Sequence, residues 1–137
     1  MGRFIKQGLI IGIVNLIVWF ILNQIINFLI PSLAGEYQNG NLFRPWTDPL
    51  MSAFFLSPFI SGLAFAYFWS IFEKCIKGKT ISERALNFAK YYFLIATIPG
   101  MFVSYTSFPV SVLMIGSWTL VGFVEAYVAG LILAKGK

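Results

Sequence analysis

The sequence predicts an all-α, polytopic membrane protein: one integral domain, residues 1–137, built as a bundle of four transmembrane helices. Three observations predict it. Hydrophobic residues fill 58% of the 137 positions and charged ones only 11%, where ordinary soluble domains carry about 25% charged residues. Mean hydropathy is +0.80. The apolar residues also fall in unbroken runs, and a run of about 20 is what a helix needs to cross the hydrocarbon core. A water-facing globule of this size has no interior large enough for so much apolar surface. A membrane β-barrel needs alternation along its strands, which these runs replace.

The first helix is expected over residues 8–30, between Lys6 and Pro31. Its Gly8, Gly12, Asn15, Trp19, Asn23 and Asn27 recur at spacings of four and three, so they share one face. Asparagine is costly against lipid, and this face should look into the bundle. The second helix is expected over 49–72, where Thr47-Asp48-Pro49 supplies a polar cap and a proline at the first helical position. The third is expected over 83–105, with Ser82-Glu83-Arg84 starting it on the aqueous side. Pro99 interrupts its hydrogen-bond ladder and predicts a bend, next to a small stripe of Ala96, Gly100 and Ser104. The fourth is expected over 109–134, from Ser107-Phe108-Pro109 to Lys135.

Charge then orients the bundle. Arg3, Lys6, Lys74, Lys77, Lys79, Arg84, Lys90, Lys135 and Lys137 fall on one side, nine of the ten basic residues, and Arg44 alone falls on the other. The positive-inside rule makes both termini and the middle loop cytoplasmic and the long loop 31–48 external. Arg3, Lys6, the apolar run and Ser32-Leu33-Ala34 loosely imitate a signal peptide, but the run exceeds the 7–15 residues of a signal core.

A shift of 60 residues superposes Ser57 on Ser117, Gly62 on Gly122, Ala66 on Ala126 and Tyr67 on Tyr127. Two small-residue seams result, Gly62, Ala66, Ser70 and Gly122, Ala126, Gly130, of the kind that lets helix backbones approach in lipid. A duplicated helical hairpin would account for the coincidence, and so would the general abundance of small residues in membrane helices.

Composition removes much chemistry. Without histidine, metal sites built on imidazole and Ser-His or Cys-His nucleophiles cannot be assembled from this chain. The lone Cys75 excludes an intrachain disulfide and a redox pair. Neither paired membrane aspartates nor a glycine-rich phosphate loop is present, so no enzyme, no cofactor and no metal site is expected. The net charge of +5 is explained by the membrane flanks, and nucleic acid is not an expected partner.

Glu125 is the one ionisable side chain well inside an expected span, about 15 Å along the helix from Lys135. A carboxylate there costs several kcal/mol unless protonated or paired, roughly, which makes it a candidate site by default. Asn15, Tyr67 and Thr97 lie at a similar height on the other helices, and the four together form the expected internal polar site. The alternative is a protonated interhelical fastener. In the external loop, Arg44 and Asp48 are placed to pair or to grip a headgroup, and Phe43 and Trp46 read as interfacial anchors. The basic loop 73–90 is expected to touch anionic membrane lipids.

Two functions follow as expectations. One is a small multi-pass protein of the cell membrane that binds or transports a small molecule or lipid at Glu125, as a homodimer because four helices are few for a transport path. The other is a non-catalytic accessory subunit or assembly factor packed against a larger membrane protein.

Overall fold

A computed structural model describes residues 2–136, so Lys137, one of the nine basic residues on the expected cytoplasmic side, lies outside the described residues. The described chain is helical with no strand, and four helices are long and apolar enough to cross a membrane. Helix α1 spans Gly2–Leu29 and the short α2 spans Pro31–Tyr37. The second crossing is a 3₁₀ segment, Pro49–Leu56, running into α3, Ser57–Phe72. The third joins α4, Ile81–Tyr92, through a π-helical turn at Phe93–Thr97 to α5, Ile98–Ser107. The fourth is α6, Val112–Lys135.

Local chemistry sets the helix starts. The Asp48 carboxylate accepts from the Leu50 amide at 2.9 Å and Pro49 follows it, as the sequence predicts. At the third crossing the cap is Thr80, whose hydroxyl accepts from Glu83 N at 3.1 Å, so the helix begins at Ile81 rather than 83. The fourth begins at Val112 rather than Pro109, because the Ser111 hydroxyl accepts from Met114 N at 3.1 Å. In both corrections a hydroxyl with a reachable amide three residues on outranks the more conspicuous residues beside it. The segment 31–48 is not bare connection either, since α2 occupies its first 7 residues.

The crossings alternate in direction. Gly8 of α1 lies opposite Leu63 of α3 and Gly12 opposite Phe59, while Ala85 of α4 meets Gly130 of α6 and Thr97 meets Gly122. The side chain of Gln7 fills the space beside Gly136, which brings the beginning of α1 and the end of α6 to one end of the bundle. Helix α1 packs chiefly on α3, α4 on α6, and α1 on α6 joins the two hairpins. At this basic end Ile11, Phe65, Trp69, Phe88 and Ala126 form a closed core. A second, smaller core of Leu33, Val110 and Met114 sits at the opposite end, where α2 folds back on α6. Elsewhere the surface is apolar: at most 28% of the apolar window of any crossing is buried inside the structure, so the rest is available to lipid.

The predicted seams are partly realised. Gly62 is pressed against Gly8 and Gly12, and a Cβ there would fall on the Gly8 carbonyl oxygen and 2.9 Å from Gly12 N. Ala66 and Ala126 are buried, and a Cβ on Gly130 would come within 2.8 Å of Ala85 Cα. Ser70 leaves the first seam: it is exposed and its hydroxyl turns back to the Tyr67 carbonyl at 2.7 Å, while Trp69 enters the core instead.

The predicted disturbance near Pro99 is a π turn. Proline offers no N–H and its ring crowds the carbonyl four residues back, and the wider turn preceding it accommodates both. The inserted residue also turns the helix. Ala85, Phe88 and Ala89 are buried below it, Thr97 is buried within it, and Ala96 and Gly100 are exposed. Helix α5 consequently buries no residue, and a Cβ on its Gly100 would meet nothing within 4 Å.

Candidate functional site

Between the two cores the helices diverge around a cavity of about 610 Å³. From α1 come Leu16, Trp19 and Asn23; from the second crossing come Met51, Phe54, Ser57 and Ser61. Helix α6 contributes Trp118, Val121, Gly122 and Glu125, and Met101 of α5 reaches in from the side. The loop after α2 lines it through Phe43, Arg44 and Trp46. The walls are aromatic and sulfur-bearing, with a few hydroxyl and amide groups, the composition usual for sites that take small organic molecules.

The loop is anchored by side chains that the sequence places far apart. Trp118 Nε1 donates to Tyr37 Oη at 2.6 Å, and the Ser111 amide donates to Glu36 Oε1 at 2.7 Å. Phe43 packs against Tyr37 at 5.5 Å and edge-on to Trp118 at 6.2 Å. Burial raises the Tyr37 phenol above its usual range, opposed by the Trp118 hydrogen bond and assisted by the Glu36 charge. Phe43 is thus built into this corner. Trp46 is 64% exposed, with its ring beside Phe54 and Phe55. Arg44 and Asp48 pair as expected, at 2.9 Å. The Leu50 amide first and Arg44 second hold the Asp48 carboxyl below its usual range.

Of the four residues expected to form an internal polar site, Glu125 lines the cavity and makes no hydrogen bond or ion pair with any described residue. Thr97 is buried and its methyl lies 3.9 Å from where a Gly122 Cβ would sit, one turn of α6 from Glu125. Asn15 is fully buried on α1 but does not line the cavity, and neither its Oδ1 nor its Nδ2 has a partner. Tyr67 does not join them. It is 60% exposed, with its ring edge-on to Phe4, because α3 turns Gly62, Phe65 and Ala66 inward and leaves position 67 outside. Sequence reasoning missed Trp118, Phe54 and Ser61 as wall residues. Trp118 had an available signal, since it lies about one helical turn from Gly122 of the second seam and two from Glu125.

At the basic end Arg84 packs back on the chain. Its guanidinium lies 5.0 Å over the Trp69 ring and donates to the Ile76 carbonyl at 3.3 Å and to Glu73 at 3.5 Å. Among the described residues no group of three His, Cys, Asp or Glu side chains is disposed to hold a metal ion.

No family model matches this chain, and no curated protein or solved structure matches it.

Proposed function

We propose that this chain is a small multi-pass protein of the cell membrane that binds, or carries across the bilayer, a small molecule or lipid in the cavity that reaches Glu125. The observation that carries the reading is the pairing of the two features. A half-buried carboxyl with no hydrogen bond or ion pair to a described residue is costly within a membrane span, and it stands in the wall of a cavity of about 610 Å³. By the positive-inside rule the basic end is cytoplasmic and the cavity belongs to the external half. The closed core from Ile11 to Ala126 then seals it from the cytoplasm, one of the two arrangements an alternating carrier needs.

The test is native mass spectrometry of the full chain from a mild detergent. The wild type should carry a co-purified small molecule or lipid, and Glu125→Gln should lose most of it, on the order of tenfold. Gly122→Leu, which fills the cavity from a position with only Thr97 nearby, should lose it as well. A ligand-free wild type, or a stoichiometric complex with another protein that survives Glu125→Gln, overturns the reading in favour of an accessory subunit. Helix α5, which buries no residue and whose Gly100 faces open space, is the observation that favours that second reading.

A further inference from the structure

Resting on the reading of the cavity as a ligand site, we propose that its ligand is a lipophilic organic cation, the positive end against Glu125 and the body between the indoles of Trp19 and Trp118. The charges on the cavity wall argue for this sign. Glu125 is its one acidic side chain, and Arg44 is its one base. Arg44 stands in the external loop, 62% exposed and already paired with Asp48 at 2.9 Å, so its charge is spent outside. An anionic head would meet Glu125 with nothing to offset the repulsion. A wholly apolar chain would leave the carboxyl facing hydrocarbon, which is the costly arrangement the cavity already presents.

The walls supply the other half of the recognition. Trp19 stands 5.3 Å from Phe54, and Trp118 stands 6.2 Å from Phe43, so two aromatic pairs face the same space. Aromatic faces attract cations through their quadrupole, most strongly when water is excluded, and indole is the best of them. Met51 and Met101 add polarizable surface that adapts to more than one ligand shape. Ser57, Ser61 and Asn23 are available for hydrogen bonds to an N–H of a protonated amine.

Two ions of one shape and opposite charge test the sign directly. Tetraphenylphosphonium and tetraphenylborate are offered to the full chain in phosphatidylcholine nanodiscs, by equilibrium dialysis against empty discs. The cation should bind above the empty-disc level, weakened at least about tenfold by Glu125→Gln, and the anion should not. Equal binding of both ions, or cation binding unchanged in Glu125→Gln, overturns the inference. The comparison of the two ions needs only the wild type, so it stands even if a variant fails to insert. Absence of cation binding by a wild type that still carries a co-purified molecule overturns the cation assignment alone. Absence of both overturns the cavity reading with it.

Discussion

The basic end of the bundle and its opposite end are built from the same kinds of helix, yet one is closed and the other encloses a cavity. Gly62 and Gly122, superposed by the 60-residue shift, show why. At Gly62 two backbones meet, and the missing side chain is filled by Gly8 and Gly12 of α1. At Gly122 the nearest atom to an added Cβ is the Thr97 methyl at 3.9 Å, and the glycine looks into the cavity. The same residue type closes an interface where its neighbour is also small, and borders open space where the other helices lining that space present Trp19 and Phe54 instead of glycine.

The comparison breaks most sharply at those two glycines. Gly62→Val should cost about 3 kcal/mol, since backbone rather than a flexible side chain occupies the space; Gly122→Ala should stay within about 0.5 kcal/mol. Unfolding in mixed micelles followed by circular dichroism measures both, and similar losses would mean that Gly122 is packed after all. The next effect has the opposite sign. Asn15 is sealed below the cavity with neither amide atom satisfied, so Asn15→Leu should stabilise the bundle by about 1–2 kcal/mol. A loss in the same assay would reveal an ordered water or other partner at that position.

Smaller effects sharpen the contrast at the two ends. Arg84→Met gives up the Trp69 contact and the Ile76 carbonyl bond, and should cost about 1 kcal/mol at the basic end. At the other end the Asp48 cap should respond to acid. Its carboxyl sits below the usual range in the folded chain, so its contribution is fully present above the unfolded value and fades as pH falls through the depressed one. Protection of the Leu50 amide, its exchange compared with the intrinsic rate at each pH, should fall over that acid window, and Asp48→Asn, an equally good cap without a titrating proton, should remove the dependence. A Leu50 amide indifferent to pH in the wild type would show that the cap is not what protects it.

How far this architecture was legible depends on what each residue's neighbours were. The four crossings followed from run length alone, and the inward face of α1 from its asparagines and glycines, because both are properties of a single helix in lipid. The pairing of Arg44 with Asp48 and the cap on Leu50 were legible for the same reason, being local. Tyr67 was misplaced because height along a helix says nothing of rotation about it, and Ser70 because a spacing of four drifts off a packed face. The Trp118 bond to Tyr37 spans 81 positions, and no local rule announces it. The cavity is likewise a property of four crossings and a loop together: Trp19, Asn23, Gly122 and Glu125 were conspicuous on their own helices, but nothing local showed that they line one space.

The π turn at Phe93–Thr97 sets the third crossing out of phase with itself. Below it the helix shows its inward stripe to α6; above it the same stripe, continued residue by residue, has swung to the outside, about 100° for the one extra position. Each half of this crossing therefore has its own azimuth and its own neighbours. Helix α5 touches α6 without burying a residue of its own, and rotation about the π turn would change what stands beside Met101 and the cavity wall without disturbing the glycine contacts at the basic end.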